Sequence, residues 1–207
     1  MHLERLLDPI EIRILGCLLE KQQTTPEVYP LTLNALTTAC NQKTNRQPVM
    51  QLEESEIEAA LERLQEIGLV WRVHGGRVIR WDHKLGAAWS LHPPRKALMT
   101  LLLLRGPQTA GELRSRGERM DSYTSIDLVE GILREMAEGD DALVEEVPRR
   151  PGQKETRWRH RVGESGGEPE PQIAAPAESL TARVERLERS VDELTRELRK
   201  LMEQLGD

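Results

Sequence analysis

Apolar residues recur along the first half of the chain at helical spacing, change to strand-like runs, and the whole succession then begins again. Ile14, Leu15, Leu18 and Leu19 make one helical stripe. Asp8-Pro9-Ile10-Glu11 opens that helix with a capping aspartate, a proline at the first turn and a glutamate reaching back. Thr24-Thr25-Pro26 and Tyr29-Pro30 end it, since proline lacks a donor and restricts the residue before it. A second helix is predicted over 31–42 with Leu33, Leu36 and Cys40 inward, followed by a polar loop over 43–51. Ser55-Glu56-Ile57-Glu58 reads as the capping box of a third helix that buries Ile57, Leu61 and Leu64 and stops at Gly68. Residues 69–73 and 77–81 are β-prone and flank His74-Gly75-Gly76, a hairpin turn.

The second half follows the same order with other residues. Pro93-Pro94 opens a helix carrying Leu98, Leu101, Leu102 and Leu104, and Thr109-Ala110-Gly111-Glu112 caps a short one. A third, over 125–138, buries Val129, Ile132, Leu133 and Met136, and 142–147 with 156–162 make a second hairpin. Three helices and a hairpin, repeated at about 85 residues, predict an α+β chain, mainly α, of two tandem winged-helix domains. The expected divisions are 1–90, 91–162, a flexible linker over 163–178 and a coiled-coil helix over 179–207. In that last segment Val184, Val191, Leu198 and Leu205 alternate with Leu180, Leu187, Leu194 and Leu201 in steps of four and three. β-branched residues at a and leucine at d predict a parallel homodimer, and Arg183 and Glu188 fall where strands exchange charges.

Composition narrows the class. With no Phe, four Trp and two Tyr, the core has to be aliphatic. No apolar run nears the ~20 residues that cross a bilayer, and residues 1–20 lack signal-peptide order, so the expectation is a cytoplasmic protein without a membrane role. Cys17 and Cys40 are too few for a disulfide framework and are expected as buried reduced thiols. The net charge of −6 hides a gradient, because residues 163–207 hold eleven acidic against six basic side chains. The body is nearly neutral, which leaves it free to meet a polyanion.

Catalytic chemistry is absent from the pattern: there is no glycine-rich phosphate loop, His-Glu-x-x-His or Cys-x-x-Cys. The histidines, His2, His74, His83, His92 and His160, are scattered without metal-ligand spacing, so neither enzyme, metal nor cofactor is expected. Positive charge gathers on the second hairpin as Arg149, Arg150, Lys154, Arg157, Arg159 and Arg161. Alternation puts Arg157, Arg159 and Arg161 on one face, about 7 Å apart, with Trp158, His160 and Val162 on the other. Such a row suits phosphate contacts, and Arg72 and Arg77 with His74 and Arg80 form a sparser version on the first hairpin. The alternative is that these arginines pair with acidic helices of their own body. Both third helices are acidic, the first through Glu54, Glu56, Glu58, Glu62 and Glu66, the second through Asp127, Glu130, Glu135 and Glu138. Helices of that sign resist insertion into a groove of DNA. The expected function is therefore nucleic-acid binding of a regulatory or architectural kind through the wings, or else a protein-interaction module on the same fold.

Longer motifs carry a resemblance. Residues 13–22, Arg-Ile-Leu-Gly-Cys-Leu-Leu-Glu-Lys-Gln, then Thr24-Thr25-Pro26-Glu27 and Tyr29-Pro30-Leu31, are similar to the opening of the bacterial YceH family. Thr38-Ala39-Cys40-Asn41-Gln42-Lys43-Thr44-Asn45-Arg46 followed by Pro48-Val49-Met50 resembles that family's most specific stretch, and Leu102-Leu103-Leu104-Arg105-Gly106 with Gln108-Thr109 resembles its second half. The resemblance, which runs into the C-terminal heptads, implies the winged-helix architecture and no particular activity. It draws attention to the loop residues Asn41, Lys43, Asn45 and Arg46, which serve either an interaction or the capping of the second helix. Glu20-Lys21 and Glu112-Arg114-Arg116 read as surface or interdomain salt bridges.

Overall fold

The computed structural model describes residues 5–74, 76, 78–149 and 155–163. The expected linker beyond Gly163 and the heptad helix lie outside the described residues, as do Gly75, Arg77, Arg150 and Lys154. All the elements named below fall within one compact unit, Met1–Glu168. The fold is α+β, with small antiparallel sheets.

Helix α1, Pro9–Thr24, starts as its sequence dictates: the Asp8 carboxylate accepts from the amides of Ile10 and Glu11, at 2.8 and 2.9 Å, and Glu11 accepts from the Asp8 amide at 2.9 Å. Its burial exceeds a single stripe. Every residue over 11–19 is buried, because α2 (Leu33–Cys40) and α3 (Glu54–Glu66) pack against α1, and so does α5 (Pro93–Arg105). Helix α5 is likewise buried throughout 97–104. The two helices with the longest buried runs, one from each half of the chain, thus cover each other, and a single continuous core results.

The first sheet has the order β1-β3-β2, with β1 Leu31–Thr32, β2 Val70–Val73 and β3 Arg80–His83. Residues 31 and 32, expected as helix, instead pair with Trp81 and Arg80, and Thr32 caps α2 through its hydroxyl. Helix α3 starts at Glu54 rather than at Ser55, with Glu56 accepting from the Glu53 amide at 2.8 Å. Gly68 takes φ 73° and turns the chain into β2 as expected. In the hairpin Val73 pairs with Arg80, so the connection is longer than the predicted tight turn. Burial of Trp81 and His83 sets this register.

A short helix that the pattern does not announce, α4 (Leu85–Ala88), leads into α5. Helix α6, Ala110–Gly117, carries the expected Thr109–Glu112 box, and α7, Ile126–Met136, is capped by Ser125. Strands β4 (Val144–Val147) and β5 (Arg157–His160) pair from Val144↔His160 to Val147↔Arg157. Trp158 exchanges two backbone hydrogen bonds with Gln108, and the Leu7 amide donates to Val162 at 3.0 Å, which ties the start of the described chain to its end. The inner strands of the two hairpins share a signature, Arg-Trp-x-His at 80–83 and 157–160, with Trp and His buried in both. Among the described residues no helix is long and apolar enough to cross a membrane.

Candidate interaction surfaces

On the second hairpin the alternation holds: Trp158 and His160 turn inward, while Arg157, Arg159 and Arg161 turn outward. The three arginines meet acidic partners on their own fold. Arg157 donates to the Pro107 carbonyl at 2.9 Å and to Glu112 at 3.1 Å, while Arg159 and Arg161 share Glu145 at 2.6 and 3.9 Å. The heads of Arg159 and Arg161 keep 45% and 47% exposure, so each still faces solvent. Arg149 lines a groove of about 370 Å³ between this hairpin, the first turn of α6 and the length of α7, together with Glu130, Arg134, Glu146 and Glu155. On the first hairpin Arg72 lies over Trp81, 5.0 Å from the ring centre, and reaches Glu62 at 3.5 Å. Arg80 donates to the Pro30 carbonyl at 2.7 Å.

Helix α3 turns its carboxylates out. Glu53, Glu54, Glu56, Glu58, Glu62 and Glu66 are all exposed. Its one arginine, Arg63, is directed at Asp8 (2.7 Å) and Glu11 (3.2 Å). Glu11 is fully buried and held by Arg5 at 2.6 Å; burial opposes its ionisation, but the Arg5 and Asp8 hydrogen bonds outweigh it and keep the carboxyl below its ordinary range.

The polar loop after α2 is largely structural in what it touches. Asn41 clamps Leu52, accepting from its amide and donating to its carbonyl, each at 2.8 Å. Arg46 is 5% exposed and donates to the Ala39 carbonyl at 3.1 Å, to Gln42 at 3.0 Å and to Glu20 at 2.5 and 3.1 Å. Arg13, 2% exposed, donates to the carbonyls of Cys40 (2.9 Å) and Pro48 (2.5 Å). Two guanidinium groups therefore satisfy the last carbonyls of α2, at the negative end of its dipole. Asn45 takes φ 60° and accepts from Arg105 of α5, and the Gln47 amide donates to the Leu104 carbonyl at 2.8 Å, so the loop joins both halves. Lys43 is exposed. Arg13, Glu20 and Arg105 belong to this assembly although only the motif around 41–46 stands out in the sequence. The signal for Arg13 was its place inside an otherwise apolar helix.

Cys17 and Cys40 are buried reduced thiols in contact with each other. Burial works against ionising Cys17, yet the Cys40 hydrogen bond and the charges of Arg46 and Arg13 prevail and hold its thiol below the usual value. Cys40 is pushed up by its hydrogen bond to Cys17 and by burial. Burial also lowers His83 and His160 to about 4, so both rings are neutral at physiological pH. Among the described residues no group of three or more His, Cys, Asp or Glu is placed to hold a metal ion.

These features define an α+β protein in which buried polar side chains join two halves of one core. A family model described as "Protein of unknown function, DUF480" matches residues 7–153, and the chain belongs to this family. Its relatives include the UPF0502 protein mll4256 of Mesorhizobium japonicum, 47% identical over 193 residues that cover 90% of this chain and 91% of the relative. The UPF0502 protein GSU0233 of Geobacter sulfurreducens is 50% identical over 169 residues, covering 81% and 76%, and a UPF0502 protein of Dechloromonas aromatica is 47% identical over 201 residues, covering 91% and 92%. UPF0502 is the YceH family, so the resemblance seen in the motifs stands.

Proposed function

We propose that this chain is a non-enzymatic, cytoplasmic docking protein built on two winged-helix domains, that its heptad helix pairs two copies, and that its partners are proteins. One observation carries the reading: α3, the helix that such domains use to enter a DNA groove, presents five exposed carboxylates, and Arg63 beside them is turned to Asp8 and Glu11. A duplex phosphate array repels that face, whereas a basic protein surface is attracted to it. The thiols fit a reducing compartment.

The test is capture of partners on the full-length protein with and without nuclease. Proteins retained after nuclease, and lost when Glu54, Glu58 and Glu62 are changed together to lysine, support the docking reading. Loss of every partner on nuclease treatment overturns it.

A second reading, nucleic-acid binding through the wings, rests on the half-exposed heads of Arg159 and Arg161, with Arg149, Arg150, Lys154 and Arg157 close to them in the sequence. Exposed ion pairs are worth little, so phosphates can compete with Glu145 for these groups. Under this reading duplex affinity falls linearly in log–log terms with salt, and changing Arg157, Arg159 and Arg161 to glutamine reduces the slope by about three. No affinity at low salt removes it.

A further inference from the structure

At the joint between the two halves a half-open cleft with an inner volume of about 20 Å³ is lined by Arg13, Gln47 and Pro48 from the first half and by Leu103, Gly106 and His160 from the second. Two of these side chains carry a buried polar atom without a partner, Nε of Arg13 and Nδ1 of His160. Both residues are 2% exposed. An unmatched donor on a buried guanidinium is expensive, and two residues with orphaned atoms that line the same cleft point to a shared ligand. The volume admits a single body of about the size of a water molecule.

Charge decides what that body is. Among the described residues no carboxylate pairs with Arg13, whose other two nitrogens are spent on backbone carbonyls. The nearby carboxylate, Glu20, is taken by Arg46, and Arg105 adds a further positive charge against the same loop. The joint therefore holds more positive than negative charge, and a buried cation in that position calls for an anion. We propose that this cavity is a binding site for one small monovalent anion of halide size, held by Arg13 Nε–H and by His160 with its proton on Nδ1. The anion would bridge α1 to β5 and so fasten the two halves together. Cys17, one turn along α1 from Arg13, is the internal competitor, since a thiolate there would supply the missing charge without a ligand.

Crystals of the full-length protein grown in bromide give the direct test. A bromide anomalous peak between Arg13 and His160 supports the site; a fully occupied water there, with no anomalous signal, overturns it. In solution, bromide or chloride is exchanged for gluconate at constant ionic strength. Each tenfold rise in halide above its dissociation constant should raise the thermal midpoint by about 4 °C. Because Arg13 also caps α2, Arg13→Gln risks the fold, so His160→Leu is the informative variant: it fills the cavity, removes one donor and should abolish the halide response. A response that persists unchanged in His160→Leu is a general ion effect and sinks the proposal. Cys17→Ser separates the competitor: the halide response survives it if the anion is external, and a response that appears only in Cys17→Ser shows that the thiolate holds the place in the native protein.

Discussion

His83 and His160 are neutral rings in a folded chain whose unfolded form would protonate them near 6.5, and this links stability to pH. The folded rings take a proton only at about 4, so the unfolded state binds more protons between those values. The contribution of the two rings is then level above pH 7 and falls as pH drops from 6.5 towards 4. Each ring withdraws about 3 kcal/mol by the lower limit. Depression of the Glu11 carboxyl adds a further loss only below its ordinary value of 4.5. Urea unfolding at a series of pH values measures the slope, and His160→Gln should reduce it by about half. A stability that does not change between pH 7 and pH 5 refutes the assignment. Arg46 obeys a different rule at the same scale. Its fork holds Glu20 and the end of α2 together under cover, so it is bound by geometry as well as by charge.

At the scale of elements, the pairing of α1 with α5 is what makes the fold, and Gly16 lets the two helices approach. A Cβ at that position would lie 2.7 Å from Leu104 Cδ2 and 3.2 Å from the Leu103 Cβ. Alanine is the better helix former by about 1 kcal/mol, but overpacking a filled core costs about 1–3 kcal/mol. Leu104 is 2% exposed and has nowhere to retreat. Gly16→Ala should therefore lower the thermal midpoint by about 3 °C, measured by calorimetry. A rise would mean that propensity outweighs packing here. The hairpins differ from the helices in how well the sequence announced them. Their inner strands are specified by an alternating Arg-Trp-x-His, whereas the length of the first turn was set by the partner register, which no local pattern encodes.

For the whole molecule, the prediction concerns assembly. The heptad seam over 179–207 lies outside the described residues, and its sequence calls for a two-stranded parallel coil. Full-length protein should sediment as a dimer at concentrations on the order of tens of micromolar, and a chain lacking 179–207 as a folded monomer. A monomeric full-length protein at that concentration would return the segment to a merely amphipathic helix. Four heptads are few, so the dimer should also dissociate on dilution.

Capping boxes at Asp8 and Thr109, the stop at Gly68, the inward thiols and the outward arginines of the second hairpin were all legible in the sequence, because each depends on neighbours within a turn or on a simple period. Three things were decided only by tertiary structure. The sequence showed one apolar stripe on α1, but α5 covers the rest, so the core is continuous across both halves. The hairpin arginines read first as phosphate contacts, with pairing to acidic groups of their own body as the alternative, and folding placed Glu112 and Glu145 against them. Arg46 read as part of a polar loop serving either an interaction or the capping of the second helix, and the loop folds over it and presses it onto Glu20 and the end of α2. Helix α5, Glu112 and Glu20 stand far along the chain from what they meet, whereas Glu145 is the cross-strand neighbour of Arg159 in the hairpin. A charge or an apolar face declares its type locally, but only long-range packing chooses what answers it.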